Sequence, residues 1–219
     1  MPRGPAACLD AAMSVSASWD DMPDRRESHM RVPSTSSAAR IVIETPRLLL
    51  RHMTIEDDTA LIRQLLNDPA FIQNIGDRGV RTDDDARRYI DDGPRASYQR
   101  FGFGLYAVTT KATGESIGIC GLVKREFLDD ADVGYALLPG FRGMGYATEA
   151  ASAVLRYGLD TLRLPRIVAL THPDNEGSIR VLEKLGLRSR GRLMISGDTR
   201  VTLLFGAPAS ADPARLPGP

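Results

Sequence analysis

A glycine loop that leads directly into a helix-forming run is the feature that most constrains the fold of this chain. A helix-forming run that begins Tyr146-Ala147-Thr148-Glu149-Ala150 follows the loop, which reads Pro139-Gly140-Phe141-Arg142-Gly143-Met144-Gly145. Glycines let a backbone approach a ligand closely, and the first N–H groups of a helix have no intrahelical partner. Because the helix dipole also favours negative charge at that end, the segment predicts either an anion-binding loop or an ordinary glycine turn before a surface helix.

The composition is typical of a globular protein and argues against several partners. Of 219 residues, 42% are hydrophobic, and Lys plus Arg and Asp plus Glu both number 28, so no net positive charge attracts nucleic acid or anionic lipid. Cys8 and Cys120 lie far apart and three histidines occur, so we expect neither a disulfide framework nor a metal site. No apolar run reaches the roughly 18 residues of a membrane span, and we expect a cytoplasmic protein.

The two ends of the chain differ in composition from its middle. Residues 1–40 are rich in Pro, Ser and Ala and show no period of 2 or 3.6. Residues 207–219 contain several prolines and little that could form a core. We therefore expect a disordered leader (1–40), one folded domain (41–206) and a disordered tail (207–219).

Hydrophobic periodicity within 41–206 predicts short strands interspersed with amphipathic helices. Strands are expected at 41–43, 48–50, 105–109, 117–123, 133–138, 167–170, 192–195 and 200–205, the last pair joined by a turn at 196–198. Helices are expected at about 54–66, from 82 onward, at 145–159 and at 175–185. This order predicts an α/β (α+β) fold with a mixed, mostly antiparallel sheet flanked by helices.

Three aspartates, Asp83, Asp84 and Asp85, fall in the first turn of the helix expected after Thr82. Negative charge at that position complements the helix dipole. Acidic groups near the mouth of a site also raise the local concentration of a cationic amine. Both interpretations stay open from the sequence.

Two familiar phosphate-binding motifs do not fit the glycine loop. A P-loop needs the triplet Gly-Lys-Ser/Thr, which occurs nowhere in the chain. A dinucleotide-binding fingerprint needs a third glycine where this chain has Thr148, and no strand typical of a parallel sheet precedes the loop.

Several segments together resemble the GNAT superfamily of N-acetyltransferases. The acetyl-coenzyme A (acetyl-CoA) loop of that superfamily, Gln/Arg-x-x-Gly-x-Gly/Ala, looks like Arg142-Gly143-Met144-Gly145-Tyr146-Ala147. The segment from Asn175 to Ser178 resembles its Asn-x-x-Ser helix. Segments 44–51 and 133–135 are similar to strands of the Rim-type branch, which acetylates ribosomal-protein N-termini. The resemblance covers nearly all of 41–206.

The resemblance implies a splayed sheet that holds acetyl-CoA as a co-substrate between the fourth and fifth strands of the family fold. Backbone groups of Leu137 and Leu138 would bond to the pantetheine arm, which takes the place of a strand. Asn175 would bond to the same arm, unless it is an ordinary helix N-cap. The pyrophosphate would bind to the loop residues Arg142, Gly143, Met144, Gly145, Tyr146 and Ala147.

The reaction implied by the resemblance is direct attack of a neutral primary amine on the thioester. All six tyrosines precede the Asn-x-x-Ser helix, so the tyrosine acid common in the superfamily is absent from its usual place and Ser178 becomes the candidate acid. The oxyanion would bond to a backbone N–H near Leu138. Asp132, Glu126 and His172 are the candidate bases, each with a structural role as the alternative.

These observations predict an acetyl-CoA-dependent N-acetyltransferase whose acceptor is a protein N-terminus or a small amine such as an antibiotic or a polyamine. A weak base suits an α-amino group, because neutralising it at pH 7 costs only about 1 kcal/mol, against about 5 kcal/mol for lysine. A non-catalytic acyl-CoA-binding module and an unrelated phosphate-binding domain remain as alternatives. Whether the chain forms a homodimer is left open.

Overall fold

The computed structural model describes residues 40–195 and 200–207, within which eight strands form one sheet. Their order across the sheet is β1-β2-β3-β4-β5-β6-β8-β7. The strands are β1 (Ile41–Glu44), β2 (Leu48–Arg51), β3 (Leu105–Thr110), β4 (Ser116–Val123), β5 (Ala131–Leu137), β6 (Ile167–Thr171), β7 (Arg188–Met194) and β8 (Val201–Gly206).

Helices cover both faces of this sheet. The α-helices of the described residues are α1 (Ile55–Leu66), α2 (Pro69–Asn74), α3 (Asp83–Ile90), α4 (Ala96–Phe101), α5 (Tyr146–Arg156) and α6 (Glu176–Lys184). A π-helical turn follows α3 at Asp91–Arg95, another follows α5 at Tyr157–Thr161, and a short 3-10 helix covers Pro139–Phe141. The predicted mixed fold is confirmed.

One strand pair differs from all the others in the sheet. The pair β5 and β6 is parallel, whereas the remaining neighbours are antiparallel. The two strands are paired only where Ala131 faces Ile167 and Asp132 faces Val168. From Val133 onward they separate, which produces the splay that the sequence predicts.

The alternation of side chains along β5 divides the interior into two cores, one on each face of the sheet. Val133 and Leu137 pack with α5 and with Leu182 of α6. Ala136 points to the opposite face and packs with α1, α3 and Phe71 of α2. We call these the α5 face and the α1 face.

Local signals in the sequence located most helices but missed two. Asp68 and Pro69, which follow the end of α1, also begin α2, because the Asp68 side chain accepts the Phe71 N–H at 3.1 Å and proline suits the first helical position. Helix α4 was not predicted, and α5 ends at Arg156 rather than at 159.

The three aspartates after Thr82 have structural roles in α3. Thr82 and Asp85 form a capping box, Asp84 binds Arg87, and Asp83 pairs with Arg63. The first interpretation, charge that stabilises the helix start, therefore fits the structure.

Parts of the sequence-based predictions lie outside the described residues. They are nearly all of the leader, the tail after 207 and the whole predicted turn at 196–198. Within 40–195 and 200–207, no helix combines the length and apolar character that crossing a bilayer requires.

Candidate active site

A cleft of about 700 Å³ opens where β5 and β6 separate. Its lining includes nearly all the residues predicted to form the site, and it continues through the splay from the α5 face to the α1 face. Two predicted residues, Leu138 and Met144, do not line it. The predicted site residues that line the cleft are Asp132, Leu137, Arg142, Gly143, Gly145, Tyr146, Ala147, Asn175 and Ser178.

The backbone of β5 presents its polar groups to the cleft at alternate residues. The Leu138 N–H donates to the Ile117 carbonyl at 2.9 Å, so even-numbered residues of β5 bond to β4. Tyr135 and Leu137 therefore direct their backbone groups towards β6, where the partner strand has moved away. A strand-like ligand fits this edge.

Leu138 is a correction to the predicted site. Its N–H donates to Ile117, its carbonyl already accepts the Phe141 N–H at 3.0 Å, and the residue does not line the cleft. Neither a pantetheine contact nor an oxyanion contact can come from that N–H. Leu137 remains, although its carbonyl already accepts a hydrogen bond from Arg142 Nε at 2.9 Å.

The glycine loop has the backbone conformation expected for an anion site. Gly143 and Gly145 have φ values of 78° and 80°, the left-handed region that favours glycine. A side chain would have open space at Gly143, whereas at Gly145 its Cβ would lie 3.4 Å from Arg47 Nη2. No side chain caps α5, whose first backbone bond runs from Glu149 N–H to the Gly145 carbonyl. The N–H groups before Glu149 therefore lack intrahelical partners.

Arg47, in the turn between β1 and β2, holds this loop in place. Its Nε donates to Glu149 Oε2 at 2.6 Å, and its Nη1 donates to the Met144 carbonyl at 3.0 Å. The guanidinium also lies 4.4 Å above the Tyr146 ring. Burial raises the pKa of Glu149, but hydrogen bonds from Thr45 and Arg47 outweigh it and hold the pKa below its ordinary value. The opening segment of the domain thus positions the loop.

Arg142 is partly committed to the protein. Besides the bond to Leu137, its Nη2 lies 2.5 Å from Asp68 Oδ1. Nη1 makes no hydrogen bond to any described residue, so the guanidinium keeps donors for an anion. Arg142 therefore both fixes the loop and remains available to a ligand.

The start of α6 brings two hydroxyl groups together. Asn175 is the N-cap of the helix, and its side-chain Oδ1 accepts the Ser178 N–H at 3.0 Å. The side-chain NH2 group of Asn175 takes no part in this cap. Ser178 Oγ lies 2.9 Å from the hydroxyl oxygen of Tyr135 on β5. Burial raises the pKa of Tyr135 to about 12, so this phenol stays protonated at neutral pH.

Tyr135 is the cleft residue that the sequence did not identify as functional. The tyrosine acid common in the superfamily is expected after the Asn-x-x-Ser helix, whereas Tyr135 precedes that helix in the chain. The available signal was its odd-numbered position in β5, shared with Val133 and Leu137, which places the side chain on the α5 face.

Two buried hydroxyl groups that line the cleft have no hydrogen-bond partner among the described residues. Thr171 and Thr202 are 6% and 3% exposed. An unsatisfied buried hydroxyl costs free energy, so such groups mark places where a ligand or water completes the bonding.

Asp132 is the acidic side chain that lines the cleft. It is 1% exposed, and its two oxygens accept from Arg125 Nε and Nη2 at 2.8 and 3.1 Å. Burial raises its pKa, and Arg125 counteracts only part of that effect. His172 also lines the cleft, with Nδ1 3.2 Å from the Val201 carbonyl, whereas the exposed Glu126 does not line it.

A family model described as an acetyltransferase (GNAT) domain matches residues 47–188, which include the glycine loop, the splayed strands and α6. The chain belongs to the GNAT family. An uncharacterised N-acetyltransferase of Bacillus subtilis, YnaD, is 30% identical over 149 residues, which are 68% of this chain and 84% of that protein. This enzyme is accordingly an N-acetyltransferase by family.

Solved structures agree with this GNAT assignment. A GNAT-family acetyltransferase from Bacillus anthracis superposes with a TM-score of 0.62 at 26% identity, covering 75% of this chain and 96% of that one. RimL, a ribosomal L7/L12 alpha-N-protein acetyltransferase, shares the fold with a TM-score of 0.66 at 19% identity, covering 80% and 97%. The predicted likeness to Rim-type enzymes therefore extends to the architecture.

Proposed function

We propose that this GNAT enzyme uses acetyl-CoA to acetylate a primary amine by direct transfer. The observation that carries the proposal is the position of the splay. The parallel pair β5 and β6 separates beside the uncapped start of α5, so one cleft offers both a free strand edge and an anion site. The two features match the extended arm and the pyrophosphate of coenzyme A.

The loop residues provide the anion site of this proposal. Arg142, Gly143, Gly145, Tyr146 and Ala147 line the cleft, and the first N–H groups of α5 supply donors at the positive end of the helix dipole. The Met144 side chain is 54% exposed, and this residue is not part of the lining. Met144 therefore contributes through its place in the backbone of the loop.

Donors and acceptors for the extended arm come from both sides of the splay. Backbone groups of Tyr135 and Leu137 face it from β5, as strand addition requires. The Asn175 amide and the unpartnered Thr171 hydroxyl lie on the cleft wall opposite. Binding there would satisfy the buried Thr171 hydroxyl.

Ser178 and Tyr135 are the hydroxyl groups that we assign to the departing sulfur. Acyl transfer to an amine releases a thiolate, which gains a proton while the amine nitrogen loses one. The Tyr135 hydroxyl donates either to Ser178 Oγ or to the Ser178 carbonyl at 3.3 Å, and in the first arrangement the Ser178 O–H is left to donate into the cleft. A hydrogen bond to the sulfur would stabilise its developing charge.

Asp132 is the candidate that accepts the proton of the acceptor amine. A carboxylate has about four lone-pair sites, and Arg125 uses two of them. Its raised pKa makes it a stronger base than an ordinary aspartate. An acceptor with a low amine pKa, such as an α-amine, loses its proton to this base most easily. We also propose that the enzyme acts in the cytoplasm, as its sequence leads us to expect.

The proposal is tested by measuring coenzyme binding and thiol release separately. Isothermal titration should show coenzyme A binding, and acetyl-CoA with a panel of N-terminal peptides and small amines should release free thiol. If coenzyme A bound but no amine in the panel caused acetyl-CoA to release thiol, the protein would instead be a binding module. Gly145→Glu should abolish both signals by bulk and like charge, whereas Gly140→Glu, in the same loop with open space at its Cβ and outside the cleft lining, serves as the matched control.

A further inference from the structure

The half of the cleft on the α1 face, opposite the anion loop, has its own set of charged and apolar side chains. An inference about this half rests on the proposed function, because this is where an amine would approach the acetyl group. We call it the acceptor half, and it is formed by Asn74, Ile75, Arg78, Arg125, Phe127 and Asp132.

No free carboxylate is present in the acceptor half as far as the structure describes it. Asp132 is the acid that lines it, and both of its oxygens are bound by Arg125. Nearby Asp77 accepts from Arg81 Nη2 at 2.5 Å and does not line the cleft. The aspartates of α3 are likewise paired within their own helix or with Arg63. Glu126 lies between Arg125 and Phe127 in the chain and is exposed, but its side chain does not line the cleft. No unpaired carboxylate therefore lines the acceptor half to attract a cationic ligand.

A positive charge, by contrast, is left over. Arg78 is exposed, and none of the described residues forms an ion pair or hydrogen bond with its guanidinium. Arg125 lies on the same side: both guanidinium groups are close enough to Tyr89 to lower its pKa, although burial outweighs them and raises it. Asp132 neutralises Arg125, so the acceptor half carries the net charge of Arg78.

Two apolar side chains flank this charge. Ile75 is 38% exposed and Phe127 is 52% exposed, and both line the cleft. Their exposure gives an acceptor carbon surface to contact beside the guanidinium.

We infer that the acceptor is a primary amine that carries an anionic group, a carboxylate or a phosphate, which Arg78 binds. Polyamines are disfavoured, because their additional ammonium groups would meet a like charge with no carboxylate to offset it. A peptide with acidic residues after its N-terminal amine fits the same description.

The test compares acceptors of opposite charge, with a matched pair of peptides at its centre. The acceptors are a tetrapeptide with two glutamates after its N-terminal residue, the same tetrapeptide with two arginines, phosphoethanolamine and spermidine. We expect kcat/KM for thiol release to be on the order of 10- to 100-fold higher for the glutamate peptide than for the arginine peptide, as one charge-assisted bond predicts. Phosphoethanolamine, compared with ethanolamine, shows whether phosphate is accepted as well as carboxylate. The preference should shrink as salt is added.

Arg78→Glu should reverse the preference between the two peptides and leave the KM for acetyl-CoA unchanged. Arg87→Glu is the matched control, because Arg87 is an exposed arginine of α3 that does not line the cleft, and it should keep the wild-type preference. Equal or better use of the arginine peptide or spermidine by the wild type would overturn the inference. So would an Arg78→Glu variant whose preference equals that of the control.

A binding measurement separates this inference from the proposed function. Calorimetry of the two peptides with the enzyme saturated in coenzyme A needs no turnover, and the glutamate peptide should bind more tightly. If spermidine were the one acceptor that caused acetyl-CoA to release thiol, the result would support acetyl transfer and contradict the inference of an anionic acceptor. Tighter binding of the glutamate peptide without turnover by any amine would support the charge preference and contradict the transferase proposal.

Discussion

The hydroxyl group of Tyr135 lies 2.9 Å from the hydroxyl group of Ser178, although the two residues are 43 positions apart in the chain. Tyr135 belongs to β5 and Ser178 to the first turn of α6, so the fold brings them together across the splay. Neither hydroxyl titrates near neutral pH, since burial raises the pKa of Tyr135 to about 12 and serine does not ionise in this range. The pair is therefore suited to donate a hydrogen bond to a departing thiolate.

If the two hydroxyl groups act as one unit, removing either should remove most of their effect. We expect Tyr135→Phe and Ser178→Ala each to lower kcat by on the order of 100-fold, with little change in coenzyme affinity. The double variant should be no slower than the slower single variant, because residues that act together are not additive. Independent, multiplying losses in stopped-flow thiol release would show that the two hydroxyl groups do not form a functional unit.

The pH dependence of thiol release should rise with deprotonation of the acceptor amine and then stay level. A tyrosine with the ordinary pKa of 10.0 would be half ionised at that pH, whereas Tyr135 has its pKa raised to about 12 and still carries its proton. Initial rates between about pH 6 and 10 should therefore show no descending limb. A fall by half near pH 10 that disappears in Tyr135→Phe would contradict the raised pKa.

The same shift has a consequence for folding stability. Because the folded-state pKa of Tyr135 lies above its unfolded value, the protein favours the protonated phenol. That contribution is present below pH 10.0 and is lost as the pH rises towards about 12. The difference in the free energy of unfolding between the wild type and Tyr135→Phe, measured by chemical denaturation, should be constant below about pH 10 and change only in this alkaline range.

Asp132 is expected to serve catalysis at some cost in stability. Its folded-state pKa is raised above the ordinary 3.8, so its negative charge lowers the free energy of unfolding at pH values above the folded-state pKa. Asp132→Asn should therefore leave the free energy of unfolding unchanged or higher, while lowering kcat/KM on the order of 100-fold. Asp130→Asn, which removes the Arg166 ion pair outside the main cleft, is the control.

A purely structural role for Asp132 would give the opposite result. The asparagine variant would then unfold at lower denaturant concentration, and its activity would fall only in proportion to the folded fraction. Urea titration and thiol release on the same preparation distinguish the two roles.

Arg47 should affect coenzyme binding indirectly, because it positions the glycine loop but does not itself line the cleft. Arg47→Ala removes the contacts to Glu149 and Met144 that hold the glycine loop. Because the side chain is 47% exposed, we expect a loss of only about 1 kcal/mol, or about fivefold in the dissociation constant of coenzyme A. Arg95 is equally exposed, at 46%, and pairs with Asp91, and neither residue lines the cleft. Arg95→Ala should therefore leave the dissociation constant of coenzyme A unchanged. Equal affinities of the two variants would show that Arg47 does not position the loop.

Local sequence signals were sufficient for most elements of the fold. The capping residue Thr82 marked the start of α3, and the glycines at 143 and 145 marked the loop before α5. These features depend on the conformations of neighbouring residues, which residue type restricts directly. Pro69 misled the prediction because proline both ends one helix and suits the first position of the next.

Contacts across the sheet could not be predicted in the same way. The register that pairs Gly118 with Leu137 decides which backbone groups of β5 face the cleft, and a slip of one residue would exchange Leu138 for Leu137. The hydrogen bond between Tyr135 and Ser178 likewise depends on where α6 lies over β5. Spacing along the chain contains neither distance, so one predicted contact was misplaced and Tyr135, to which we assign a role in the proposed mechanism, was missed.

The splayed cleft is proposed to transfer an acetyl group from acetyl-CoA to an amine nitrogen. The most direct test is mass spectrometry of the acceptor after incubation with the enzyme and acetyl-CoA, with free thiol measured in the same sample. We predict one added acetyl group on the amine for each thiol released, and neither product with Gly145→Glu. Thiol release without an acetylated acceptor would contradict the proposed acetyl transfer, and unchanged products with Gly145→Glu would contradict the assignment of the site to the glycine loop.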